Sequence, residues 1–331
     1  MHSVITIATD NVLYEGIALL NSWTKSSANE LCIYDFNCSQ DKKEYIISFS
    51  TKSINITYAD FMQKMMFYKM VLIRDFLVNN KHIDRITYLD LDTMVVKNWD
   101  HIWEMDFDFA MTIRPGIRPC LNANAGVLFF KNNTNSINFL NWCINCMQSA
   151  ASYNHNKDGR IRKVFVSDTL FDFYIGCMQR NGIKCLRSLF WWCDQTFLSA
   201  ICEECYKTMH KRIYETTAKV FGYKVGLLPC PIYNDTSAFT FSNLNDEDYL
   251  KNRFIIHFKG KRKKRVYPFV ADNIYNASKR PKKDMDFRLI SEYIKKDPKH
   301  FFDHLTKGLN EANKSPSEII DSLAMFKSRY I

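Results

Sequence analysis

No apolar run in this chain approaches the ~20 residues that a membrane-spanning helix needs, which excludes a helical transmembrane protein. Glycine and proline are scarce, at 10 and 8 in 331 residues, which excludes a collagen-like or low-complexity chain. A secretory leader is not expected either. Met1-His2-Ser3 is not basic, and the apolar stretch Val4–Ala8 stops at Thr9-Asp10. The expectation is therefore a cytoplasmic protein. Eleven cysteines, an odd number spread along the chain, predict free thiols rather than a disulfide framework. The two CxxC pairs, Cys143/Cys146 and Cys202/Cys205, fall in helix-like stretches and lack the compact spacing of a zinc ribbon. No internal repeat is visible.

What the chain does have is core-forming material. Its residues are 47% hydrophobic and 15% aromatic, enough for one large domain or two modest ones. The formal net charge is +10, and two runs, Lys259–Arg265 and Lys279–Lys283, hold much of the excess. Such runs bind phosphate, anionic lipid or nucleic acid, or are simply solvated. Neither run has an aromatic platform, helix-turn-helix or zinc finger beside it, so no nucleic acid is expected as a partner. Contact with an anionic membrane surface remains open.

Patterning predicts an α/β fold. Val4–Ala8, Leu31–Tyr34, Ile54–Tyr58 and Arg85–Leu91 read as strands. Helical spacing occupies Gly16–Trp23 and Phe61–Leu77 between them. Alternation of this kind builds βαβ units and a mostly parallel sheet with flanking helices. Further strands are expected at Phe107–Thr112, Gly126–Phe130, Val225–Leu228 and Phe254–His257, with a helix at Ser136–Met147. The pattern becomes purely helical after Asp286, and Ser315-Pro316-Ser317-Glu318 caps a last helix. The expected division is a domain over 1–270 and a helical extension over 271–331.

The strongest chemical signal is Tyr88-Leu89-Asp90-Leu91-Asp92. Side chains alternate along a strand, so Asp90 and Asp92 would share a face while Leu89 and Leu91 turn into packing. Two carboxylates at the carboxyl end of a buried strand lie where α/β sheets bind ligands. Hard oxygen ligands suit Mg²⁺ or Mn²⁺, and such a cation offsets their mutual repulsion.

Residues Tyr88–Val95 resemble the Asp-x-Asp segment of glycosyltransferase family 8, the family of glycogenin and bacterial lipopolysaccharide sugar transferases. Other pieces follow in the family's order. Ile5–Tyr14 resembles its opening strand and nucleotide-binding loop, which implies donor contacts from Ala8, Thr9, Asp10 and Tyr14. Phe67-Tyr68-Lys69-Met70 resembles a helix whose basic residue faces the donor; a snorkelling surface lysine is the alternative at Lys69. Asn122–Leu128 is similar to the segment lining the sugar pocket, with Asn124 and Ala125 against the donor. Cys193–Leu198 resembles an Asp-Gln element whose Asp194 would lie beneath the reacting carbon and whose Gln195 would contact the donor. For Asp194 the competing reading is a helix N-cap, and Ser167-Asp168-Thr169 competes for the motif itself. Leu228–Asn234 resembles the next element, and Ile256–Lys263 the family's His-x-x-Gly-x-x-Lys motif. The family's usual Pro-Trp is replaced here by Lys264-Arg265.

The resemblance spans Val4 to Arg265 and implies a GT-A Rossmann-like fold acting on a UDP-sugar donor with retention of configuration. Asp90, Asp92 and His257 would hold Mn²⁺ or Mg²⁺, with Leu91 also against the donor. Gly260 and Lys263 would bind the diphosphate, and Lys263 would stabilise the leaving group beside Asp194's catalytic role. A glycan, glycolipid or protein would be the acceptor. A nucleic-acid-binding protein and a catalytically silent scaffold are the rival readings.

Overall fold

The structure is a computed structural model that describes residues 1–9, 16–36, 53–58, 65–114, 122–151, 186–209, 215–237 and 247–258. The expected extension at 271–331, both basic runs, and Asp10, Tyr14, Gly260 and Lys263 lie outside those residues. So do the competing Ser167-Asp168-Thr169. Two compact units divide the chain. One takes Met1–Ile5, Asp60–Leu89 and Asp100–Asn234; the other takes Thr6–Ala59, Asp90–Trp99 and the chain from Asp235 onward.

Ten strands form in the described residues: β1 His2–Thr9, β2 Glu30–Phe36, β3 Ser53–Tyr58, β4 Arg85–Leu89, β5 Thr93–Val95, β6 Phe109–Ile113, β7 Ala123–Lys131, β8 Thr216–Val220, β9 Tyr223–Pro229 and β10 Ile255–His257. Eight of them make one mixed sheet, in the order β3-β2-β1-β4-β7-β6-β9-β8. β10 and β5 form a separate antiparallel ribbon.

In the first unit, β4 runs parallel to β1 and antiparallel to β7. β6 also opposes β7, so β4 and β6 share a direction, and β9 joins it as a parallel neighbour of β6. Only β7 and the edge strand β8 run the other way in this unit, which makes the sheet mostly parallel. β7 is buried through Phe130 on both faces, as a central strand covered by helices must be.

The three long helices described in this unit are α2 Met65–Asn79, α3 Thr134–Ala151 and α4 Leu186–Met209. α4 lies against β7 and β8. Phe109 stacks on Phe139 at 3.7 Å between ring centroids, and Phe197 of α4 is fully buried with them. Each such ring contributes about 1.5–3 kcal/mol by leaving water.

The second unit holds β2 and β3, paired in parallel register, and the short helix α1 Ile17–Ser22, which packs on β5. Ser22 closes that contact. Its hydroxyl donates to the Ala18 carbonyl at 2.6 Å and accepts the Val95 N–H at 2.8 Å. The expected strands and helices lie within four residues of the observed ends, whereas β5, β8 and the first part of α4 had not been expected, and one difference is consequential. The strand expected to reach Leu91 ends at Leu89, and Asp90-Leu91-Asp92 forms a turn before β5.

Among the described residues no helix is long and apolar enough to cross a membrane. Cys143 sits in α3, Cys202 and Cys205 in α4, and all three are buried free thiols. Burial pushes the Cys205 thiol well above the ordinary range, which makes it inert.

Candidate functional site

The turn after β4 delivers the two aspartates. Thr93 Oγ1 donates to the Asp90 carbonyl at 2.8 Å and closes it. Leu91 turns inward and is 6% exposed, packed against Gly16, where any side chain would collide with it. Asp90 and Asp92 are thus brought to one side by a turn rather than by strand alternation. His257 ends β10, opposite Thr93 in the β5 ladder.

Among the described residues, one set of three metal-capable side chains converges: Asp90, Asp92 and His257, with ligand atoms within 4.8 Å of one another. His257 Nε2 lies 3.2 Å from Asp92 Oδ1 and 3.8 Å from Asp90 Oδ2. Two ligands bound at ~2.1 Å to a common ion stand roughly 3–4 Å apart, so the spacing suits a divalent cation. The donor set, two carboxylates and one imidazole, fits Mn²⁺ or Mg²⁺. Asp92 and His257 are buried while the Asp90 side chain is 27% exposed, so the set opens to solvent on the Asp90 side. No cysteine takes part in such a set among the described residues.

A second cluster lies wholly within the first unit. Strand β7 bulges where Met111 faces Leu128 but the next residue, Thr112, faces Asn124. The pairing of β4 with β7 also stops at Leu89 and Val127. This leaves the Ala125 carbonyl outside both ladders, and Lys69 of α2 donates to it at 2.9 Å. Lys69 is 3% exposed and pairs with Asp194 Oδ2 at 2.9 Å, while its ammonium sits 4.8 Å over the Tyr88 ring. The lysine is a buried cation, not a snorkelling surface residue.

Asp194 lies in the interior of α4, which begins at Leu186, so the N-cap reading is wrong. Its Oδ1 accepts the Gln195 N–H at 2.7 Å. Asn124 Oδ1 accepts the Gly126 N–H at 3.2 Å and holds the bulge. Asn124 Nδ2 is buried and without a hydrogen-bond partner among the described residues. Asn234 donates to Thr112 Oγ1 at 2.7 Å beneath the same bulge. Gln195 is buried beside Asp194, and Ala8 is buried in β1. Thr9 closes that strand.

A third group, Asp235, Tyr249 and Arg253, carried no motif by which it could be recognised beforehand. Asp235 is 2% exposed; its Oδ2 accepts from Tyr249 Oη at 2.6 Å and from Arg253 Nε at 2.5 Å. Burial, and then that carboxylate, push the Tyr249 phenol up to about 12, so it stays a donor at neutral pH.

Among solved structures, the glycosyltransferase GlyE of Streptococcus pneumoniae TIGR4 is 14% identical, with a TM-score of 0.44. The match covers 79% of this chain, which spans only 55% of the length of that protein. The galactosyltransferase LgtC, solved with donor and acceptor sugar analogues, is 12% identical with a TM-score of 0.38 over 78% of this chain and 87% of its own. No curated protein matches the chain. The sequence model of glycosyl transferase family 8 matches residues 2–168, half of the chain, with Lys69, Asp90, Asp92 and Asn124 inside the match. On that match, the chain belongs to glycosyl transferase family 8.

Proposed function

We propose that the chain transfers a hexose from a nucleotide-sugar donor, a UDP-sugar, to a glycan, glycolipid or protein acceptor, with retention of anomeric configuration. The observation that carries this reading is the convergence of Asp90, Asp92 and His257 in a chain of this family. These three residues would hold Mn²⁺ or Mg²⁺, and the partly exposed Asp90 side leaves room for diphosphate oxygens. When bound, the cation supplies charge that stabilises the departing nucleoside diphosphate.

The remaining roles are part of the same proposal. Lys69 pairs with Asp194 in a dry environment and so holds its carboxylate in one orientation, as an acceptor for sugar hydroxyls requires. Asn124 Nδ2, a buried donor, would give its hydrogen bond to a sugar oxygen. Gly260 and Lys263 would bind the diphosphate, Gln195 and the backbone around Leu91 the donor sugar, and Ala8 to Tyr14 the base. The reading also includes a catalytic domain ending near residue 270, a helical extension beyond it, and a cytoplasmic location with the basic runs against an anionic membrane.

Calorimetric titration with UDP, in Mn²⁺ and then in EDTA, tests it. Binding should need the metal and should disappear in Asp92→Ala. Equal UDP binding in EDTA would overturn the metal assignment. Absence of any UDP binding, with steeply salt-dependent binding to nucleic acid, would favour the basic-patch reading instead.

A further inference from the structure

β10 is three residues long and pairs with β5 along one edge only. On that edge, Phe254 accepts from Val96 N–H at 2.8 Å and Phe258 donates to the Asp92 carbonyl at 2.9 Å. The groups of Ile255 and His257 face the opposite edge, and Asp235 meets them there. Asp235 N–H donates to the Ile255 carbonyl at 2.9 Å, and the His257 N–H donates to the Asp235 carbonyl at 2.8 Å. The backbone of His257 is therefore held by Asp235 rather than by the ladder to β5.

Asp235 is itself clamped. Its Oδ1 accepts from Ser237 N–H at 2.8 Å and Ser237 Oγ at 2.6 Å. Its Oδ2 takes Tyr249 and Arg253, and Arg253 also donates to the Tyr249 carbonyl and covers the Tyr249 ring at 3.6 Å. Arg253 stands in the segment that runs directly into β10, so the clamp closes on the strand that carries the histidine. A ligand must be held within about 0.5 Å of its productive place, and a three-residue strand with one paired edge does not supply that stiffness.

We propose that Asp235, Tyr249 and Arg253 are positioning residues that fix His257 for a divalent cation. The inference rests on the metal-site reading above and goes beyond it in naming what sets the affinity of the site.

The test is titration of the full chain with MnCl₂, alongside melting in EDTA, for the wild type, Asp92→Ala, Tyr249→Phe, Arg253→Met and Arg253→Lys. Arg253→Met should weaken Mn²⁺ binding about tenfold, the scale seen when outer partners of metal ligands are removed. Tyr249→Phe should weaken it less, and Arg253→Lys should recover part of the loss. A lowered melting temperature with wild-type Mn²⁺ affinity in Arg253→Met would make the clamp a mere brace and overturn the proposal. If Arg253→Met does not fold, Tyr249→Phe, which deletes one hydroxyl, decides alone, and unchanged affinity overturns it. Wild-type binding that is lost in Asp92→Ala but kept in the clamp variants would sink the clamp and leave the metal site standing. No Mn²⁺ binding by the wild type would sink both.

Discussion

Lys69 Nζ lies 2.9 Å from Asp194 Oδ2, and the two side chains are 3% and 4% exposed. Neither charge has water to fall back on, and each is tolerable because the other is present. Removing one partner from such a pair costs about 3–5 kcal/mol, because the survivor stays buried and uncompensated. Lys69→Met and Asp194→Leu should each lower unfolding stability by that order. The double variant should be more stable than either single one. Urea unfolding of the three proteins checks this, and additive losses would show that the pair is not coupled.

Mn²⁺ should stabilise the fold through Asp90, Asp92 and His257. A ligand at one hundred times its Kd adds about 2.7 kcal/mol. Wild-type protein should show that gain in melting temperature, reversed by EDTA with no change in circular dichroism. His257→Ala and Asp92→Asn should melt alike with and without the metal.

Gly16 faces Leu91 so closely that a methyl group there would lie 2.6 Å from Leu91 Cδ1 and 2.7 Å from its Cγ. The whole isobutyl group would have to move, not only its tip. Gly16→Ala should cost about 1–3 kcal/mol as an overpacked core position. Leu91 sits between the two aspartates, so the same variant should weaken Mn²⁺ binding. Denaturant titration and metal titration separate the two effects, and unchanged values in both would refute the contact.

His2 is 1% exposed, bonds Thr87 Oγ1 at 2.9 Å and meets the edge of Trp103. Burial, then the charge of Arg85, push its imidazole down to about 3 from the ordinary 6.5. The unfolded chain therefore takes up the proton first as pH falls. Stability from this group is complete above about pH 6.5 and declines as pH drops toward about 3. His2→Gln should flatten that slope in unfolding measured between pH 7 and pH 4.5, and an identical slope would contradict it.

Much of this was legible in the sequence where the signal is local. Apolar runs such as Val4–Ala8 and Leu31–Tyr34 announce strands because burial of alternating or continuous apolar residues is a short-range property. Asp90 and Asp92 were readable as a pair, but not the turn that presents them, because Thr93-Met94-Val95 continues the apolar pattern past the break. The cap reading that competed for Asp194 arose because Gln195 onward is helical. The preceding Leu189-Phe190-Trp191-Trp192 joins the same helix, described from Leu186, and its apolar run carries no sign of a helix turn. The Lys69–Asp194 pair and the Asp235 clamp were out of reach for another reason. Both join positions distant along the chain, and single residues do not advertise such partners.

The β5–β10 ribbon also says when the proposed metal centre would be assembled. Asp92 and His257 are about half the chain apart, so their meeting closes one of the longest loops in the protein. Long-range closure is paid for in chain entropy before any contact rewards it, and it is slow. During synthesis the aspartate turn emerges long before its histidine, and the centre stays open until β10 is made. Assembly of the proposed metal centre is thus a late event in folding, since Asp92 cannot meet His257 before β10 is made.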